Sequence, residues 1–172
     1  MLRLRPYKSC DAKTIISWIK DEITFRKWSA DIYDHYPITA DELNAKYDSF
    51  KDTDNFYEFT AFDDSSVVGH MIMRFLDENK KILRFGFVIV DADKRGKGYG
   101  REMIKLALKY AFEILKAEKV TIGVFDNNES ARKCYLSVGF KEENPQQIEQ
   151  VNIMGEVWNY HILKMEDKDY SD

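Results

Sequence analysis

Cysteine and proline are scarce in this chain of 172 residues, which has two cysteines and three prolines. The two cysteines, Cys10 and Cys134, have neither paired nor metal-type spacing, which argues against a disulfide framework and favours a reduced, cytoplasmic setting. We expect both to be packed thiols. The few prolines mark no boundary between domains, and the length suits one domain with a substantial core over residues 1–172.

Long apolar runs and an excess of basic charge are also missing. No stretch approaches membrane-spanning length, and residues 1–5 alternate apolar and basic side chains, unlike a secretory signal. The 26 basic and 30 acidic residues give a net charge of −4, which offers no general field for nucleic acid. We therefore expect a protein that binds neither a membrane nor nucleic acid, with a mildly acidic surface that suits a cationic substrate.

Hydrophobic periodicity predicts a mixed α/β (α+β) fold. Apolar runs and polar turns predict antiparallel strands at 2–5, 56–62, 67–76 and 83–90, helices from 12 toward 28 and at 40–50, and a last hairpin at 151–165. An amphipathic helix after Gly100 leads from the fourth strand to another buried strand at 120–125. Such a crossover makes these two strands parallel. A helix at 130–138, with Gly139 as its C-cap, follows.

The most informative stretch is Ile82 to Leu106, where an apolar strand leads through a glycine-rich turn into a helix. Glycines let backbone amides approach a ligand, and the first amides of a helix are unpaired. These donors, the helix dipole and nearby basic side chains favour a phosphate group. The turn fits neither a Walker loop nor the dinucleotide fingerprint, because Arg101 follows the last glycine and occupies the position of the fingerprint's third glycine.

Two blocks then give the chain a specific resemblance. The turn reads Arg-x-x-Gly-x-Gly at Arg95, Gly98 and Gly100, and the segment 128–140 has Asn128, Ala131, Tyr135 and Gly139-Phe140 in register. Together they resemble the GNAT superfamily of N-acetyltransferases, and the two ends of the chain look nearest to its ribosomal-protein and aminoglycoside-type branches. The resemblance implies a single-domain acyl-CoA N-acyltransferase fold, with a mostly antiparallel sheet, a central parallel pair that splays apart, and flanking helices.

The same resemblance implies acetyl transfer from acetyl-CoA to a primary amine of a small molecule or a protein N-terminus, directly within a ternary complex. Pantetheine would lie along the central strand and the pyrophosphate at the turn. An amide near Phe87 or Val88 would polarise the thioester carbonyl. The implied cofactor-binding residues are Phe87, Val88, Ile89, Val90, Arg95, Gly96, Lys97, Gly98, Tyr99, Gly100, Arg101, Asn128 and Lys133. No metal is expected, because the three histidines lack metal-type spacing.

Tyr135 is the catalytic residue that the resemblance implies. A phenol, with a reference pKa of about 10, stays protonated at neutral pH and can protonate the departing thiolate of CoA. The amine must also lose a proton, and many family members have a glutamate two residues before the glycine of the central strand. This chain has Arg84 there. Glu22, Glu58, His70 or a chain of water molecules remain candidates for the base.

Several alternatives stay open. The departure at Arg84 supports a non-catalytic acyl-CoA sensor as the second hypothesis. Tyr135 could be a core residue, Asn128 only a helix cap, and the run Asp63-Asp64 a solvated turn. The aromatic residues between Trp18 and Tyr36 could line an acceptor pocket, although core packing is their commoner use. The acceptor amine, the acyl-chain selectivity and the oligomeric state, with a homodimer as one alternative, are not encoded in a readable motif.

Overall fold

The computed structural model describes residues 1–171, whose strands form one eight-stranded mixed sheet. The strands are β1 Arg3–Pro6, β2 Phe56–Phe62, β3 Val67–Phe75, β4 Ile82–Val90, β5 Lys119–Phe125, β6 Lys141–Glu142, β7 Glu149–Ile153 and β8 Glu156–Glu166. Their order is β1-β2-β3-β4-β5-β8-β6, with β7 paired to β8. The pair β4 and β5 is parallel and the other pairs are antiparallel, so the expected fold class is confirmed.

Five α-helices accompany the sheet in the part of the chain described: α1 Ala12–Ser17, α2 Glu22–Ser29, α3 Ala40–Asp48, α4 Tyr99–Lys109 and α5 Glu129–Val138. The expectation of one helix from Ala12 toward Trp28 is wrong. The helix is interrupted before α2 because Asp21 is the N-cap of α2. The carboxylate of Asp21 accepts a hydrogen bond from the amide of Thr24 at 2.7 Å. Helix α4 continues through one π-helical turn, Tyr110–Ile114.

The two faces of the sheet support separate hydrophobic cores. Helices α4 and α5 pack on one face, where Phe85 of β4 and Ile122 of β5 are almost fully buried. Helices α1 to α3 pack on the other face, against Ile72 of β3 and Ile89 of β4. Within residues 1–171 this second core contains no residue of β5 or β8. The helical cover on that face therefore ends near β4, and this leaves an opening beside the central strand pair.

Buried polar groups connect the segment of helices α1 to α3 to the sheet. His70 is completely buried, and its Nε2 lies 2.6 Å from the Tyr47 hydroxyl. Burial lowers the pKa of His70 to about 3, so its imidazole is neutral at physiological pH. Asp11 accepts hydrogen bonds from Arg5 at 2.7 Å and from Thr60 at 2.8 Å. These contacts give His70 and Asp11 structural roles beneath α1 and α3.

The structure corrects the expectation for Cys10 and confirms the C-cap at Gly139. Cys10 is exposed rather than packed, whereas Cys134 is half-buried. Gly139 ends α5 with φ 115°, as a C-cap glycine does. No helix within residues 1–171 combines the length and the apolar composition needed to cross a membrane.

Candidate active site

The two parallel central strands separate halfway along their length. Strands β4 and β5 are paired from Ile82 with Lys119 to Phe85 with Ile122, and the pairing stops there. Beyond that point β4 stays paired with β3, and β5 stays paired with β8. The splay that the family resemblance implies is therefore present, and it exposes strand-edge backbone groups of residues 86–90 to a gap.

A β-bulge lies in β4 next to this gap. His70 of β3 pairs with Ile89, but Ile72 pairs with Gly86, so Phe87 and Val88 together oppose one residue of β3. Phe87 has φ 48°, a left-handed conformation that costs a non-glycine residue about 1–3 kcal/mol. The Phe87 ring contacts that of Trp28, with 5.1 Å between centroids, and this packing holds the bulge. The sequence contains no signal for it.

A cleft of about 140 Å³ opens at the splay and is walled by both strands. Residues 27–30 at the end of α2 form its rim, and Tyr135 and Asn128 line it. Because side chains alternate along β4, Phe85 points into the core under α4 and α5, whereas Arg84 lies on the opposite face. Arg84 also lines the cleft, and Tyr135 lines it from α5 on the other face. The cleft therefore connects the two faces of the sheet.

Tyr135 reaches the cleft from helix α5. Its side chain is only 6% exposed, and its ring lies 6.4 Å from that of Phe140 between centroids. Burial raises the pKa of Tyr135 well above its ordinary value, so the phenol stays protonated. Within residues 1–171 its hydroxyl makes no hydrogen bond, which leaves the proton free for a ligand.

Asn128 occupies the N-cap position of α5, but its side chain makes no capping hydrogen bond. Only its carbonyl serves the helix, by accepting from the amide of Arg132 at 3.1 Å. Asn128 is also one of the residues that line the cleft. The alternative that Asn128 is only a helix cap is therefore not supported by its geometry.

The glycine turn leads from β4 into α4. Gly96 and Gly98 have φ 73° and 85°, and no atom lies within 4 Å of the position that a Cβ would take on either residue. The first hydrogen bond of α4 runs from the amide of Glu102 to the carbonyl of Gly98, at 3.0 Å. The amides of residues 99–101 precede that bond and have no acceptor in the helix. They form a positively polarised surface that is open to an anion.

Asp63, at the β2–β3 turn, braces the start of α4. Its carboxylate accepts hydrogen bonds from Lys94 at 2.9 Å and from the Tyr99 hydroxyl at 3.0 Å. Hydrogen bonds from Ser65 and Lys94 hold the pKa of Asp63 far below its usual range. The expectation of a solvated turn is wrong for this residue, whose side chain is 13% exposed. The hydroxyl proton of Tyr99 is therefore engaged by Asp63.

The residues proposed as a base from the sequence do not meet at the cleft. Glu22 pairs with Arg26 at 3.1 Å, Glu58 is half-buried on β2, and His70 is enclosed beneath Tyr47. None of the three lines the cleft. Its charged lining within residues 1–171 consists of Lys27, Arg74 and Arg84. Within residues 1–171, no group of His, Cys, Asp or Glu side chains is placed to hold a metal ion.

Tyr160 on β8 is a cleft residue that sequence reasoning missed. Its ring crosses Gly123 of β5 so closely that a Cβ on that glycine would lie 1.7 Å from the Tyr160 hydroxyl oxygen. Burial raises the pKa of Tyr160, and the positive charges of Arg84 and Arg74 oppose that rise. An isolated glycine in an apolar strand indicates a close approach of this kind, and Gly123 was the available signal.

Comparison with known proteins gives a family and a fold. The sequence profile of the acetyltransferase (GNAT) domain family matches residues 1–141. In three dimensions the chain resembles the spermidine N-acetyltransferase of Vibrio cholerae in complex with CoA and spermine, with a TM-score of 0.84 and 24% sequence identity. That match covers 98% of this chain and 97% of the other. At this identity it establishes a shared fold.

Relatives found by sequence match over shorter lengths. The uncharacterized N-acetyltransferase YokL of Bacillus subtilis is 30% identical over 110 residues, which are 63% of this chain and 61% of YokL. The spermidine N(1)-acetyltransferase of Escherichia coli K12 is 25% identical over 143 residues, which are 83% of this chain and 74% of that enzyme. The chain spans 45% of a third relative, the UPF0039 protein C11D3.02c of Schizosaccharomyces pombe.

The contact between Gly123 and Tyr160 generates a stability prediction. Gly123→Ala should lower the free energy of unfolding by about 1–3 kcal/mol, because the new methyl group overlaps the phenol. The same change in a Tyr160→Ala background should cost little, so that urea denaturation gives a coupling energy of similar size.

Gly86→Ala is the matched control for that experiment. Its Cβ would lie 3.3 Å from the flexible Cδ1 end of Ile72, and we expect a cost below about 1 kcal/mol. Equal costs for Gly123→Ala in the two backgrounds would show that the ring does not lie over Gly123.

Proposed function

We propose that this chain, which belongs to the GNAT acetyltransferase family, transfers the acetyl group of acetyl-CoA to a primary amine of a small molecule or a peptide. The observation that carries the proposal is the splay of β4 from β5, with the bulge at Phe87 facing the gap. An extended thioester arm can pair there with strand-edge amides and carbonyls. No other part of residues 1–171 combines free strand edges, a phosphate-type turn and a protonated phenol.

In this proposal the pantetheine arm lies along residues 87–90. Its amide groups pair with the β4 edge that β5 leaves free. The bulge changes the direction of the local backbone, so that an amide of Phe87 or Val88 faces the gap and donates to the thioester carbonyl. A donor fixed in this way stabilises the oxyanion that forms during transfer without reorganising.

The pyrophosphate of CoA is proposed to lie at the turn of residues 95–101. The open amides of residues 99–101 receive it, and Arg95, Lys97 and Arg101, all exposed, add positive charge. Asn128 contacts the pantetheine arm from the start of α5. Lys133, whose ammonium lies 3.4 Å from Glu129 on the exposed side of that helix, is free to move toward a phosphate.

The proposed chemistry is direct transfer within a ternary complex. The amine nitrogen attacks the thioester carbonyl carbon, and collapse of the tetrahedral intermediate breaks the carbon–sulfur bond. The nitrogen of the intermediate releases one proton to water, and Tyr135 donates its own proton to the departing sulfur. The products are CoA thiol and the amide, and the tyrosinate is reprotonated from solvent. The proton of the ammonium form passes to water in the cleft, since within residues 1–171 no carboxylate or imidazole lines it.

Cys134 is not proposed as an acyl-accepting nucleophile. Its sulfur lies 3.7 Å from the position of a Cβ on Gly100, packed between α4 and α5. Burial raises the pKa of the thiol, which disfavours the reactive thiolate. Both observations support direct transfer to the amine over an acyl-enzyme.

The proposed acceptor is a primary amine. Spermidine and spermine, named for several relatives, belong to that class. An acceptor panel therefore includes polyamines, amino acids, aminoglycosides and peptides with free N-termini. The readout is thiol release together with a mass gain of about 42 Da on the acceptor.

Gly98→Glu tests the proposed phosphate site. We expect acetyl-CoA affinity to fall about tenfold or more, because a carboxylate would stand where the amides favour a phosphate. Isothermal titration calorimetry with acetyl-CoA and with CoA measures the change. Gly98→Asn is the control, because asparagine tolerates the left-handed conformation and adds no charge. Equal affinity of the glutamate variant and the wild-type protein would contradict the site.

Tyr135→Phe tests the proposed general acid. We expect kcat to fall about 100-fold or more while acetyl-CoA affinity changes less than about threefold, since the phenyl ring preserves the packing against Phe140. Steady-state kinetics on the best panel amine, with calorimetry in parallel, separate the two quantities. An unchanged kcat would rule out this role. Binding of acetyl-CoA by the wild-type protein without acetylation of any panel amine would favour the sensor hypothesis.

A further inference from the structure

The cleft at the splay has a charge opposite to that of the whole chain. The chain has a net charge of −4, yet within residues 1–171 the charged residues that line the cleft are Lys27, Arg74 and Arg84. No aspartate or glutamate of that range lines it. The local positive field is therefore built into the cleft.

Arg74 and Arg84 are direct cross-strand neighbours on β3 and β4. Like charges in that arrangement destabilise an antiparallel pair, so the sheet alone gives no reason for them. The Nε of Arg84 donates to the Thr121 hydroxyl at 2.7 Å, which fixes the guanidinium and leaves its two terminal nitrogens without a protein partner in residues 1–171. Neither Arg74 nor Arg84 forms an ion pair with any side chain of residues 1–171. Two guanidinium groups are thus available to one anion.

These arginines lie too far from the glycine turn to serve the same phosphate groups. Arg84 and Val90 are separated by roughly 20 Å of extended strand, and the turn begins only after Val90. Arg84 also lies on the face opposite the α4 and α5 core from which Tyr135 enters the cleft. If acetyl-CoA occupies the turn and the β4 edge, the arginines face the acceptor.

From this placement we infer that the acceptor is an amine that also bears an anionic group, a carboxylate or a phosphate, bound by Arg84 and Arg74. The inference rests on the proposed acetyl transfer and names its substrate class. Guanidinium groups bind both kinds of anion through paired N–H donors. Thr121 is a positioning residue, because it holds the guanidinium of Arg84. A polycationic amine, by contrast, meets three like charges in the cleft.

Pairs of amines that differ only in one charged group provide the test. The pairs are 4-aminobutyrate with putrescine, and phosphoethanolamine with ethanolamine, each assayed with acetyl-CoA and the wild-type protein. We expect kcat/KM for the anionic member of at least one pair to exceed that of its partner about ten- to hundred-fold. The two pairs distinguish a carboxylate from a phosphate.

Charge variants assign that preference to the arginines. Arg84→Gln and Arg74→Gln should each lower kcat/KM for the preferred anionic amine about tenfold or more, mainly through KM, and so reduce the ratio of its kcat/KM to that of its partner amine. Arg84→Glu should shift the preference toward putrescine. Lys13→Gln, which removes an exposed positive charge on α1, is the matched control and should change neither ratio. Calorimetry should give these variants wild-type affinity for acetyl-CoA.

Binding of the anionic amines to the protein–CoA complex is measured separately from turnover. The two measurements together distinguish failure of this inference from failure of the proposed acetyl transfer. Turnover of the panel without preference for the anionic members, or with preference for putrescine, would overturn the inference and leave the acetyl transfer standing. Arginine-dependent binding of an anionic amine without turnover would support the inference and overturn the transfer. Absence of both turnover and binding for all four amines would overturn the inference.

Discussion

The candidate site depends on one constraint, which is that β4 loses its partner on one edge after Phe85 while it keeps β3 on the other. A strand edge inside a sheet must satisfy its amides and carbonyls, and here a ligand can do so. The left-handed residue Phe87 lies beside the gap, and its ring packs against that of Trp28 of α2. The cost of that conformation is offset by the packing of the helical layer, so the helices α1 to α3 support the site as well as the core.

The rest of the molecule positions other groups around this edge. Asp63 joins the β2–β3 turn to Lys94 and Tyr99, which holds the glycine turn at the end of the open strand. Helix α5 brings in Tyr135 from one face, and β3 and β4 bring Arg74 and Arg84 to the other. In the proposed reaction, donor and acceptor approach from opposite faces and meet at the splay.

Sequence reasoning predicted the parts of this arrangement that rest on local chemistry. The parallel pair, the glycine turn and the C-cap at Gly139 follow from periodicity and backbone conformation, and they were correct. The break before α2 was missed because apolar spacing continued across the cap at Asp21. The bulge at Phe87 and the placement of Tyr160 were not predictable, since both arise from packing between segments distant in sequence. The sequence marks Arg84 as a departure from the family pattern. It does not show that Arg74 is the cross-strand neighbour of Arg84, because that contact depends on the register between β3 and β4.

Amide hydrogen exchange with and without CoA tests the central claim most directly, namely that a ligand completes the free edge of β4. The account predicts slower exchange on CoA addition for at least one amide in residues 87–90 and for the amides of residues 99–101. The amides of residues 83–85, which already lie within the paired part of β4, should be unchanged. Binding of CoA without added protection in residues 87–90 would contradict the account.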